Sequence, residues 1–152
     1  MNKIYIYITL KMNVQLIQDL LSNSNILVID DNIDIANIVK TSLEIDGFDV
    51  SVFNDPHLAL EHFKKNLAKF SVVISDVRMP GINGPELVAI IKDLRPEIKV
   101  IFMTAFDMMD IKPEIENYDY EIAEIFQKPL SMKRLRKIVK ELLNNVTVHE
   151  KI

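Results

Sequence analysis

At 152 residues the chain is long enough for one domain with a substantial core. Its 49% hydrophobic and 26% charged residues, with only 3 Gly and 6 Pro, exclude a disordered or fibrous protein. A net charge of -4 argues against binding driven by phosphate neutralisation, zero cysteines exclude thiol catalysis, disulfides and Cys-ligated zinc, and no apolar run reaches the ~18 residues of a membrane span. These features predict a cytoplasmic protein without direct nucleic-acid or membrane contact.

Residues 1–24 form an extension in which Val14, Ile17, Leu20 and Leu21 fit a short amphipathic helix, suited to packing or dimerisation, with Met12 as an alternative start. A strand is predicted at Ile26 to Ile29, followed by a helix with Ile35, Ile38, Val39 and Leu43 inward and Gly47 as its stop. Val50 to Phe53 reads as the second strand. Asp55 then caps a helix that has Pro56 at its first position and Leu60, Phe63 and Leu67 along one face.

The third strand, Phe70 to Ser75, leads to a helix starting at Pro85, with Leu87, Ile90, Ile91 and Leu94 inward and Pro96 beyond its end. Lys99 to Met103 and Ala123 to Gln127 are the fourth and fifth strands. Ser131 caps the last helix, in which Leu135, Ile138, Val139 and Leu142 face the core while Lys133, Arg134, Arg136, Lys137 and Lys140 read as a solvated face. Residues 147–152 are a tail.

Strands separated regularly by helices imply right-handed crossovers and an α/β, doubly wound, five-stranded parallel sheet. The unbroken apolar content of the first, third and fourth strands fits burial on both faces. In the order 2-1-3-4-5, ligands bind beyond the carboxyl ends of strands one and three. Asp30 and Asp31 follow strand one, Asp76 follows strand three, Thr104 follows strand four and Lys128 closes strand five, so all five converge on one rim. Taken singly, an Asp pair before a helix is commonly a turn and cap, a strand-end Thr a backbone partner, and a Lys a surface charge. Together they form a site.

Three carboxylates a few ångströms apart repel, each pair by about 4 kcal/mol at 4 Å and an effective dielectric of 20. Such a cluster must protonate or recruit a cation, and Lys128 offsets one charge only. The remaining charge calls for a hard divalent ion with oxygen ligands. Mg²⁺ typically takes one or two carboxylates, retains waters and completes its shell with phosphate oxygens, which points to phosphoryl chemistry.

The stretch "SDVRMPGINGPEL", residues 75–87, joins Asp76 to Met79, Pro80 and Gly84. With "ILVIDDN", "FMTA" and "FQKPL" in the same order, it resembles the receiver domain of two-component response regulators, here spanning 25–146 with a flavodoxin-like fold. The resemblance implies that Asp76 is phosphorylated by a sensor histidine kinase or histidine phosphotransfer protein. It further implies that Asp31, Asp76 and the Arg78 backbone carbonyl contact Mg²⁺ directly, that Asp30 does so through water, and that Thr104 and Lys128 contact the phosphoryl group. Pro129 matches a proline commonly preceded by a cis bond.

Two departures from the family concern output. The aromatic residue usual three positions before the strand-five lysine is Ile125 here, and Phe126, its neighbour, should face the other side of the sheet. Pro113 falls where the family has a continuous fourth helix, so that helix is expected to be short, broken or restarted, since interior Pro costs about 3 kcal/mol. Without a DNA-binding or enzymatic segment in the sequence, a stand-alone receiver is expected, signalling to a downstream protein target as a monomer or a phosphorylation-dependent homodimer. The alternatives are a binding module that signals little through its site, and a Mg²⁺-dependent phosphohydrolase. The latter would call for a second acid two residues after the nucleophile, where Arg78 stands.

Overall fold

A computed structural model of the chain describes residues 2–22 and 25–144, apart from the side chains of 14–22. The elements are α1 (Lys3–Ser22), β1 (Asn25–Ile29), α2 (Ile33–Glu44), β2 (Asp49–Phe53), α3 (Pro56–Lys65), β3 (Phe70–Asp76), α4 (Gly84–Leu94), β4 (Lys99–Thr104), α5 (Met108–Glu116), β5 (Glu124–Gln127) and α6 (Met132–Asn144). All strand pairs are parallel, in the order β2-β1-β3-β4-β5. Side chains alternate between two cores, as the pleat requires. Leu27, Val73, Val100 and Phe102 pack with α3, α4 and α5 on one face; Ile26, Val28, Ile74 and Met103 pack with α2 and α6 on the other.

The helix starts follow capping chemistry. Asn32 accepts the Asp34 and Ile35 amides at the start of α2, Asp55 accepts those of His57 and Leu58 at α3, and Asn83 accepts that of Glu86 at α4. Ser131 accepts the Arg134 amide at α6. Gly47 and Gly81 both adopt positive φ, 84° and 87°, where a side chain would be strained.

Periodicity misplaced some side chains. Ile38, expected inward, is 57% exposed, and α2 buries Ala36, Val39, Ser42 and Leu43 instead. Leu67 lies beyond α3 and is exposed, as is Leu94 at the end of α4. A single exposed aliphatic is ordinary on a protein surface, and spacing alone does not separate it from a core residue.

The segment with Pro113 forms one short helix. α5 is 9 residues long and continues through Pro113, and it buries only Ile111 and Ile115. The expected amphipathic stretch of Val14, Ile17, Leu20 and Leu21 lies within α1, but its side chains are outside the described residues, as is the tail 147–152. Among the described residues, no helix is long and apolar enough to cross a membrane.

Candidate functional site: an acidic rim at the strand ends

The turn after β1 gives three adjacent polar residues three different surroundings. Asp30 is fully buried; its Oδ1 accepts the Asn32 amide at 2.9 Å and its Oδ2 accepts Lys128 Nζ at 2.7 Å. Asp31 is exposed, and Asn32 supplies the cap of α2. The helix cap that an Asp pair would ordinarily provide is therefore met by the asparagine, which leaves both aspartates for the rim.

Asp76 ends β3 and is 8% exposed. Its Oδ1 accepts the Val77 amide at 2.9 Å, while Oδ2 lies 3.4 Å from Lys128 Nζ. Asp30, Asp31 and Asp76 each offer a carboxylate oxygen within 4.8 Å of the others. Burial pushes the Asp76 carboxyl up to about 6; Lys128 opposes the rise and the charges of Asp30 and Asp31 add to it. Burial pulls the Lys128 ammonium down, but its bonds to Asp30 and Asp76 outweigh that and its pKa is raised, so the lysine stays charged.

The remaining members are fixed by backbone. Thr104 is fully buried at the end of β4; its Oγ1 accepts the Phe106 amide at 3.0 Å and its carbonyl accepts the Lys128 amide at 2.7 Å. The peptide bond between Lys128 and Pro129 is cis. Past Asp76 the chain doubles back, with the Gly84 amide donating to the Val77 carbonyl at 2.8 Å. A Cβ on Gly84 would sit 2.1 Å from the Asp76 carbonyl oxygen, so the position has room only for glycine.

The strand ends thus bring Asp30, Asp31, Asp76 and Lys128 together, with Thr104 at the end of the neighbouring strand. Ile125 is half-buried and packs on the α3–α4–α5 side, whereas Phe126 is buried on the opposite face, its ring 4.9 Å from the Arg134 guanidinium carbon. The basic face of α6 is largely paired within the protein. Arg136 makes two bonds to Asp46, at 2.8 and 2.7 Å, Lys140 joins the same carboxylate at 3.0 Å, and Arg134 pairs with Glu124. These bonds, that of Arg136 foremost, hold the Asp46 carboxyl well below the usual range.

Sequence reasoning missed a group beside the rim. The Arg78 guanidinium bonds Glu114 of α5 and lies over the Phe106 ring. No local signal marks such a contact, because its partners are 36 residues apart.

The doubly wound sheet, the buried carboxylate beyond its third strand, and the acids, lysine and threonine around it define a phosphoacceptor-type domain. The chain belongs to the response regulator receiver domain family, whose model matches residues 26–140. The transcriptional regulatory protein ZraR of Escherichia coli (strain K12) is 31% identical over 121 residues, which is 80% of this chain and 26% of that protein. The chain spans about a quarter of the length of the curated regulators it matches first. A response regulator receiver domain protein from Clostridium thermocellum superposes with a TM-score of 0.70 at 30% identity, covering 80% of this chain and 94% of that one. The receiver domain of the Francisella response regulator 1452 gives 0.67 at 29% identity, covering 81% and 98%.

The chain is thus a phosphoacceptor receiver of two-component signalling. Receiver domains are generally Mg²⁺-binding, and they interact with histidine kinases or phosphotransfer proteins.

Proposed function

We propose that Asp76 is the residue phosphorylated, within a receiver unit at residues 25–146, and that the resulting acyl phosphate is read by a downstream protein target. The observation that carries this reading is the Asp76 carboxylate at the mouth of the rim. It is buried, one oxygen is bonded to the Val77 amide, and the other faces Lys128 at 3.4 Å.

A carboxylate oxygen of Asp76 attacks the phosphorus of a phosphohistidine or a small acyl phosphate. The bond from phosphorus to the donor breaks, and the donor leaves with that electron pair. Because phosphoryl transfer passes through a loose transition state, position and charge neutralisation provide most of the acceleration. Lys128 is charged and already held toward Asp76 by Asp30. The Thr104 hydroxyl, buried at the adjacent strand end, has its own proton to donate to a phosphoryl oxygen.

The donor set suits Mg²⁺: hard oxygens, one exposed acid, and a clustered charge that a lysine only partly balances. Asp31, Asp76 and the Arg78 carbonyl would hold it, with Asp30 reaching it through water. When bound, Mg²⁺ neutralises charge on the transferred phosphoryl group. Incubation with Mg²⁺ and acetyl phosphate, or with a phosphorylated cognate kinase, should add one phosphoryl group by intact mass, and Asp76→Asn should remove that gain. No adduct from either donor would refute the proposal.

Ile125 supports a second reading, a binding module that keeps the site but transmits little from it, because an aliphatic side chain stands on the Thr104 side of β5. Partner affinity, oligomeric state and amide exchange that all stay unchanged with a beryllofluoride mimic would favour that reading.

A further inference from the structure

Residues 2–13 are exposed without a break, and none of them belongs to either hydrophobic core. Ile4, Ile6, Tyr7 and Leu10 lie side by side in this stretch of α1 and are 65, 43, 59 and 59% exposed. At roughly 200 Å² for each side chain, they leave on the order of 400 Å² of apolar surface open to water within two turns. A whole monomer ordinarily carries no larger patch, and such a patch marks an interaction site.

The helix also needs a partner to be a helix. Most helical stability in proteins comes from packing an apolar face, and Ile4, Ile6, Ile8 and Thr9 are β-branched residues that lose rotamer freedom in a helix. Nothing in the two cores repays that cost.

Spacing along α1 supplies a self-complementary seam. Tyr7, Leu10, Val14, Ile17 and Leu21 recur at alternating steps of three and four residues, the heptad pattern by which one helix lines up against another. At its middle, leucine and β-branched valine occupy the two core positions, Leu10 and Val14, a combination that favours two parallel strands. Charge does not oppose the pairing. α1 carries only Lys3, Lys11 and Asp19, and of these just Lys3, its first residue, falls on the core line. Asn13 and Gln18 flank the seam at the positions that meet across a parallel pair, where two amides suit each other.

We infer that α1 joins a second copy of this chain in a parallel two-stranded coiled coil along this seam, forming a dimer whether or not Asp76 is phosphorylated. A standard interface takes about 800 Å² from each partner. The first two turns of α1 offer about half of that, and the heptad spacing continues to Leu21. No residue of the acidic rim lies on α1, so the pairing stands apart from the chemistry there.

Sedimentation equilibrium of the full chain, at concentrations up to ~0.5 mM, should give twice the 17.5 kDa chain mass. The dissociation constant should be the same for wild type, for Asp76→Asn, and for wild type with Mg²⁺ and beryllofluoride. Leu10→Asn combined with Val14→Asn should raise it at least about a hundred-fold, because four aliphatic side chains leave the dimer core. Near-UV circular dichroism of that variant should still report a folded receiver. The chain has no cysteine of its own, so introduced ones report the register. Under mild oxidation Leu10→Cys, on the seam, should form an inter-chain disulfide at least about ten-fold faster than Ile8→Cys, on the outer side. A monomer throughout overturns the dimer and would leave α1 to its own receiver or to another class of partner. A dimer that survives the double variant, one that forms only with beryllofluoride, or equal cross-linking of the two cysteines overturns it as well.

Discussion

Replacing Asp76 by Asn should stabilise the fold, and the gain should depend on pH in a defined way. Folding raises the Asp76 carboxyl from 3.8 to about 6, chiefly by burial. A shift of about two units at about 1.4 kcal/mol each makes the ionised form cost roughly 3 kcal/mol in the native state. The native protein therefore binds a proton that the unfolded chain has already released between those two values. The stability linked to that proton is fully present below about pH 3.8 and is lost as pH rises through about 6.

Asn has nearly the same shape and no charge, and it retains an oxygen for the Val77 amide. Lys128 keeps its 2.7 Å bond to Asp30 in the variant, so no new unpaired charge is created. Urea unfolding of both proteins, without Mg²⁺, should show the variant ahead by as much as about 3 kcal/mol near pH 8, with the two converging near pH 4. Comparing the proteins at each pH cancels the titration of the other acids. Saturating Mg²⁺ should narrow the gap, since a ligand of the native wild type stabilises it by mass action. A variant no more stable than wild type near pH 8, or an advantage that persists near pH 4, would refute the reasoning that a buried charge at Asp76 opposes folding.

Asp31→Ala should weaken Mg²⁺ binding more than Asp30→Ala in isothermal titration, because Asp30 has both oxygens engaged with Asn32 and Lys128 while Asp31 is exposed at the rim; equal losses would contradict the division of roles. Gly84→Ala should destabilise the fold by roughly 3 kcal/mol or more in urea unfolding, since its Cβ would meet the Asp76 carbonyl oxygen and only a backbone shift relieves the clash. Pro113→Ala restores an amide donor inside α5 and should slow exchange across residues 108–116; unchanged exchange there would show that the missing bond is not what limits the helix.

The site was legible because it lies where strands end. β1, β3 and β4 are buried on both faces, so their sequences are nearly unbroken in apolar residues, and each polar residue that follows marks the rim by contrast. Asn32 was legible in principle, as a favoured cap residue directly ahead of a helix, but the two preceding acids masked it. Ile38 was misread because an exposed aliphatic can share the spacing of a core face. The Arg78–Glu114 pair and the stacking on Phe106 leave no trace in local spacing; they depend on how the loop after β3 meets α5, and only the folded chain brings those parts together.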